Sequence, residues 1–193
     1  MHDKALIAAK LDRWENFMRS YHLPAFEELP DMPFYVDQII IIAKKYLSFI
    51  PNPEADDPFI TTSAVNNYVR MKLMPPPIKK RYGRMHLAHL IMICCLKQSL
   101  PMMQIKKILP YDTEEESIRE TYNAFSNVVS NTALAFIQQV RDAAKIMNSE
   151  RTTEREVEEF VLSAAVSSVL YCVFIEKLLR LPKKYDMWDQ NQN

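Results

Sequence analysis

One glycine, Gly83, is all that 193 residues contain. Two-residue hairpins and helix-to-strand turns ordinarily rely on glycine for positive φ. A chain this poor in glycine is a poor candidate for a sheet and predicts a nearly all-α fold. The same scarcity excludes a glycine-rich loop that cradles phosphates. Cysteine is also scarce. Cys94, Cys95 and Cys172 lie inside apolar runs with no CxxC spacing, so no metal or cofactor is expected and the thiols read as free and buried in a reducing cytoplasm. No secretory leader is expected either, since Met1–Tyr21 is amphipathic and charged throughout. The longest apolar run, Phe160–Ile175, stops at sixteen residues, short of the ~20 that span a bilayer. Glu158, Glu159, Glu176 and Lys177 bracket it. It predicts a fully buried helix, covered by other helices of this chain or by a second subunit, of a cytoplasmic protein that avoids the membrane.

The most informative absence is local. Between Pro58 and Tyr111 there is no Asp and no Glu, against nine Lys or Arg. Residues 1–57 hold six basic and ten acidic residues, a charge of −4; residues 112–193 hold nine basic and fourteen acidic, a charge of −5. The middle block, at +9, cancels both and leaves the chain neutral. A neutral chain with one concentrated cationic block has a surface suited to a polyanion.

Three regions follow from composition and punctuation. Residues 1–57 supply a helix over 3–21, a Pro-rich connector Leu23–Pro33, a second helix over Val36–Phe49 and the loop Pro51–Pro58. Residues 58–111 are the cationic block: a helix capped by Thr61 or Thr62 and running to about Lys72, a stop at Pro75–Pro77, and a short extended arm Ile78–Tyr82. Gly83 caps a helix from Arg84 to about Lys97, and Pro101 opens a further helix that ends near Leu109. Residues 112–193 hold two long helices, each opened by a capping box at Thr113–Glu116 and at Thr153–Glu156. They run towards Met147 and Leu181.

On the helix Thr62–Lys72, Ala64, Val65, Tyr68 and Val69 form an apolar face. Ser63, Asn66, Asn67 and Arg70 share the opposite face at i, i+3, i+4 and i+7. Solvated faces usually mix Glu with Lys; this one offers amides, a hydroxyl and a guanidinium. Asn pairs with adenine edges, and Arg with guanine or phosphate. Lys79, Lys80 and Arg81 follow on the arm, placed to lie along a sugar-phosphate backbone. Arg84 and His86 stand in the first turn of the next helix, where free N–H groups favour phosphate. The contact set expected for double-stranded DNA is therefore Thr62, Ser63, Asn66, Asn67, Arg70, Lys79, Lys80, Arg81, Arg84 and His86.

These residues carry a resemblance. Ile60–Leu109 resembles the winged helix-turn-helix of MerR-type transcription regulators. Val65-Asn66-Asn67-Tyr68-Val69-Arg70 stands at the paired-aromatic motif of the recognition helix. Lys72-Leu73-Met74-Pro75-Pro76 stands at its exit, Arg81-Tyr82 at the end of a shortened wing, and Gly83 at the cap. Ser99–Leu109 stands at the closing helix. Asn66 and Asn67 replace the Arg and first Tyr of that motif. More closely, LPAFEELPDMPFYVDQ followed by ITTSAVNNYVRMKLMPPPIKKRY resembles a family of uncharacterised bacterial proteins that carry this unit, over roughly residues 23–181. The resemblance implies a winged helix-turn-helix embedded in a multi-helix bundle, and a regulatory protein.

MerR-like regulators dimerise through a long helix after the DNA unit. The candidate is Thr113–Met147, whose stripe Ile118, Tyr122, Phe125, Val129, Leu134, Ile137, Val140 and Ala144 changes spacing near Asn131. A homodimer is expected, because paired half-sites need one. Tyr171, Phe174 and Met147 are candidates to line a pocket for an unidentified small-molecule effector. Enzymatic readings are weak: His86 and His89 are one turn apart with no carboxylate nearby. The sequence points to a homodimeric DNA-binding regulator. The rival is a protein–protein interaction module that keeps the fold without DNA.

Overall fold

The computed structural model describes residues 4–50, 60–109, 111, 114–148 and 153–181. Seven α-helices occur among them: α1 Lys4–Ser20, α2 Val36–Tyr46, α3 Thr62–Arg70, α4 Arg84–Leu96, α5 Met102–Ile108, α6 Glu115–Asn148 and α7 Glu154–Leu179, with a 3-10 turn at Phe26–Glu28 before α2. Among the described residues β-pairing is limited to two isolated bridges, Phe34 with Tyr82 and Ile78 with Arg81. The all-α expectation from scarce glycine holds.

The helix starts are built in two ways. Thr61 and Thr153 cap α3 and α7 with their hydroxyls, which accept from the Ala64 and Glu156 N–H groups. At Ala25, Tyr35 and Gly83 no capping side chain is available, so the residue three positions on reaches back. Glu28 Oε2, Gln38 Oε1 and His86 Nδ1 accept those N–H groups at 2.8–3.0 Å. Each contact satisfies a donor that the first helical turn leaves unpaired. The capping box at Thr153 matches expectation; Thr113 lies outside the described residues. Gly83 is the N-cap of α4 with φ −101°, a conformation open to any residue. The sole glycine is therefore not demanded by its own backbone.

Helix α4 sits at the centre. Every residue from His86 to Cys94 is buried, as a helix apolar on all sides requires. Helices α2 and α6 pack on it and α3 packs on α2. One hydrophobic core joins residues from Leu23 to Tyr122, with Phe26, Ile39, Leu47, Ile60, Tyr68 and Leu90 among its most enclosed members. The proline-rich connector belongs to this core. Phe26 and Leu29 are buried, Phe26 N–H donates to Asn123 Oδ1 at 2.8 Å, and Ser126 donates to the Leu23 carbonyl at 2.9 Å. Burial pushes the Cys94 thiol up to about 12 and the Cys95 thiol to about 11, so neither forms a reactive thiolate near neutrality.

Helix α6 is 34 residues long, roughly 50 Å. Its first half closes the core with Ile118 and Tyr122. Its second half pairs antiparallel with α1. Trp14 meets Phe136 edge-on, Met18 packs on Ala133 and Ile137, and Glu15 accepts from Arg141 Nε at 2.8 Å. This packing revises the expected stripe. The buried positions run 118, 122, 126, 133, 137, 140, 143 and 144, with half-buried Val129 between them. Ser126 and Ala133 fill the inner face while Leu134 points outward. The spacing therefore never shifts near Asn131: a sequence reading picks the larger Leu134, but close approach of α1 selects the smaller Ala133. The stripe is consumed within the chain, so it is not a free dimer face.

Helix α7 departs most from expectation. It was expected to be covered by other helices of this chain or by a second subunit, and within the chain Val157 is its single buried residue among those described. Its first turn touches α1, where Val157 and Phe160 pack on Ala8 and Leu11. Its last turns touch the core through Ile175, and Cys172 Sγ lies 3.5 Å from the Ser99 carbonyl. From Val161 to Tyr171 every residue is exposed. By length and composition α7 is the one described helix that qualifies as a candidate membrane span.

Candidate nucleic-acid interface

Helix α3 buries Val65 and Tyr68 and turns Thr62, Ser63, Asn66 and Arg70 to solvent, with Asn67 half-buried beside them. The polar face expected from the spacing is thus on the outside. Asn67 joins its neighbours: its Oδ1 accepts from Arg70 Nη2 at 2.8 Å, and its Nδ2 lies 3.4 Å from Met71 Sδ. The amide and the guanidinium form one preset pair. Tyr68 packs inward, and burial raises its hydroxyl pKa; it serves the core, as its place on the apolar face predicts.

The segment after α3 holds what sequence reasoning missed. Lys72, Lys79 and Lys80 have φ of 54°, 49° and 62°, the three positive-φ non-glycine residues among those described. Lys72 ends α3. Leu73 N–H donates to the Tyr68 carbonyl and Lys72 N–H to the Val69 carbonyl, a Schellman ending in which glycine is the usual occupant of the left-handed position. Lys79 and Lys80 form a two-residue turn. Ile78 and Arg81 exchange both backbone hydrogen bonds, at 3.0 and 2.9 Å. Two successive left-handed residues make a type I′ hairpin turn, normally Asn-Gly. The expected extended arm is therefore a tight hairpin with both lysines at its tip, exposed. Left-handed backbone costs an ordinary L-residue about 1–2 kcal/mol, and such cost is concentrated at functional sites.

The hairpin is anchored to the connector. Phe34 and Tyr82 exchange backbone hydrogen bonds at 2.8 and 2.9 Å, which brings Tyr35 beside Arg81. The Arg81 guanidinium lies 3.3 Å over the Tyr35 ring centroid, leaving a half-exposed cation on an exposed aromatic. Tyr35 sits 46 residues away in sequence, and its part in the site comes from that bridge alone. Ile78 and Met32 flank the hairpin as exposed apolar residues.

Two residues of the expected contact set serve the fold instead. Arg84 donates through Nε to the Leu29 carbonyl at 3.0 Å, and its Nη2 lies 3.5 Å from Asp31, so the guanidinium clamps the connector. His86 is 2% exposed. Its Nδ1 accepts from Gly83 N–H and its Nε2 donates to the Pro76 carbonyl at 3.1 Å. Both ring nitrogens are spent, which withdraws His86 from phosphate contact and from the His86–His89 metal pairing. Burial lowers its pKa, opposed by the bond to the Pro76 carbonyl. His89 points its Nδ1 at the Met85 carbonyl, 2.9 Å away.

The block free of acid in sequence is not free of acid in space. Asp37 of α2 accepts from Thr62 Oγ1 at 3.3 Å. Asp31 and Glu115 line a cleft of about 510 Å³ with Lys79, Arg81 and Arg84 at the base of the hairpin. The cations that stay exposed on the α3–hairpin side are Arg70, Lys72, Lys79 and Lys80. Lys106 is drawn to the Met71 carbonyl at 3.1 Å. Tyr171 and Phe174, expected beside Met147 in a pocket, line an open groove of about 310 Å³ with Ser167 and Leu170; the Met147 side chain lies outside the description.

These features define an all-helical protein with one cationic helix-and-turn face. The chain belongs to the DUF1836 family, a domain of unknown function, whose model matches residues 24–125. That span coincides with the main core, Leu23 to Tyr122, and ends well before residue 181, where the sequence resemblance was expected to stop. No curated protein and no solved structure matches the chain.

Proposed function

We propose that this protein is a cytoplasmic, sequence-specific DNA-binding transcription regulator that acts as a homodimer. In this reading α2 and α3 are the two helices of a MerR-like helix-turn-helix, and the Ile78–Arg81 hairpin is its shortened wing. Helix α3 enters the major groove with Ser63, Asn66 and the Asn67–Arg70 pair towards base edges. Lys72, Lys79 and Lys80 lie along the phosphates. The observation that carries the reading is the lysine pair at the hairpin tip: an exposed, doubly left-handed turn built from cations where Asn-Gly would be less strained.

The test is binding to duplex DNA across a salt series. Four exposed cations per protomer, eight per dimer, would give a slope of log K against log[salt] of about −7. Replacing Lys79 and Lys80 with Ala should weaken all sequences alike. Asn66→Ala should relax preference at one position, losing ~1–3 kcal/mol there. No retardation of any duplex at low salt removes the reading. A protein-docking role is the alternative, favoured by exposed Met32, Tyr35 and Ile78 beside Asp31 and Glu115. It would show as salt-insensitive behaviour towards DNA.

A further inference from the structure

Among the described residues, helix α7 is anchored at its two ends. Val157 and Phe160 rest on α1, and Cys172 and Ile175 rest on the α5 side of the core. About 18 Å of helix lies between Phe160 and Cys172. Along that stretch the outward positions Leu162, Val166 and Leu170 are exposed, and so are Val161, Ala165 and Ser168 on the side that faces the body. Val161 is 61% and Leu170 63% exposed. The helix stands away from its own chain, apolar on both sides. An uncovered apolar surface of this kind marks a contact site, and it needs cover on more than one side.

We infer that α7 is the homodimer core, packed antiparallel on α7 of a second copy. Charge selects this occupant. The first turns carry Glu154, Glu156, Glu158 and Glu159 against one Arg155, whereas the last turns carry Lys177 and Arg180 against Glu176. A parallel pair would stack acid on acid. An antiparallel pair sets each acidic end against the partner's basic end, the self-complementarity that a two-fold axis demands. The axis would then cross near the middle of the helix, where the small Ser167, grouped with Leu170 and Phe174, lets two backbones approach. Insertion into a bilayer is disfavoured by geometry. Both ends of α7 are docked on the body, and the sixteen-residue apolar run covers about 24 Å of a ~30 Å hydrocarbon layer. This dimer is the one the regulatory reading calls for, but the surface assigned to it rests on α7 alone.

The test uses the full chain in light scattering and sedimentation at ten to a hundred micromolar. The wild type is expected at twice the chain mass of 22.6 kDa. Leu170→Glu with Phe174→Glu, both at exposed positions, should leave the helix content and melting of the monomer intact and raise the dimer Kd by about a hundredfold or more. Lys177→Glu with Arg180→Glu should also weaken the dimer, and adding Glu158→Lys with Glu159→Lys should restore it. A monomeric wild type, a dimer indifferent to the Leu170/Phe174 change, or a chain that floats with phosphatidylcholine vesicles instead of self-associating overturns the inference. A dimer without charge rescue overturns the antiparallel arrangement. A wild type that dimerises through α7 but ignores DNA would defeat the regulatory proposal and leave this one standing.

Discussion

Helices α4 and α7 are both apolar nearly all round, yet they have opposite fates. From His86 to Cys94, α4 has no exposed residue. Helix α7 leaves Val161 to Tyr171 entirely in solvent. The difference lies in the neighbours. Helix α4 is enclosed by elements on both sides of it in sequence, from the Phe26 turn through α2 to α6, and this enclosure is the family domain. Helix α7 follows that domain, and the inner face of α6 is already taken by α1. Hydrophobicity says that a helix will be covered; it does not say by which chain.

The comparison can be broken most forcefully at the core. Phe26→Ala removes a fully enclosed ring from the connector and should cost about 3–5 kcal/mol, read as a shift in denaturant midpoint. Leu162→Ala on α7 should change the same midpoint, measured under monomeric conditions, by no more than about 0.5 kcal/mol. Equal losses at the two sites would mean that α7 is covered within its own chain.

Protonation is the next lever. Folded His86 has a lowered pKa because it is buried as the neutral ring. The unfolded chain titrates near 6.5 and so binds more protons in the window just below it. The contribution is fully present above about pH 6.5 and is lost as pH falls towards the folded value. His86→Gln should flatten this acid limb of stability. Because it disturbs the pairing of the Gly83 N–H and the Pro76 carbonyl, it should also cost about 1–3 kcal/mol at pH 8. An unchanged acid limb would remove His86 as its source.

The hairpin gives an effect of opposite sign. Lys79→Asn with Lys80→Gly suits the left-handed turn and should raise stability by about 1–2 kcal/mol, while removing two exposed cations. Higher melting with weaker DNA binding would mark the lysines as kept at a stability cost. Lys72→Gly, the usual residue at such a helix ending, should add about 1 kcal/mol. Loss of stability in either variant would show that these lysines are held by contacts other than backbone strain.

Much of this was legible from the residues. Scarce glycine announced the helical class, and proline and Thr-x-x-Glu spacing marked most helix ends within a few positions. The period of 3.6 placed Val65 and Tyr68 inside and Ser63, Asn66 and Arg70 outside. Other features had no sequence signal. Nothing in Ile-Lys-Lys-Arg announces a type I′ turn, since lysine is not a turn residue. Tyr35 joins Arg81 through a backbone bridge between distant segments. Arg84 and His86 look like phosphate ligands in a list of residues, but Leu29, Asp31, Gly83 and Pro76 claim them first.

The sequence alone determined which surfaces are apolar and which stretch is cationic, because period and charge are properties of local order. It also determined that nearly every backbone hydrogen bond would be helical. Tertiary structure decided which cations stay free, which acids come near them, and which apolar helix the chain itself covers. Those outcomes depend on partners brought together from far along the chain. That is why α4, with neighbours on both sides, became a core, and α7, contacted among the described residues at its ends, remained a surface.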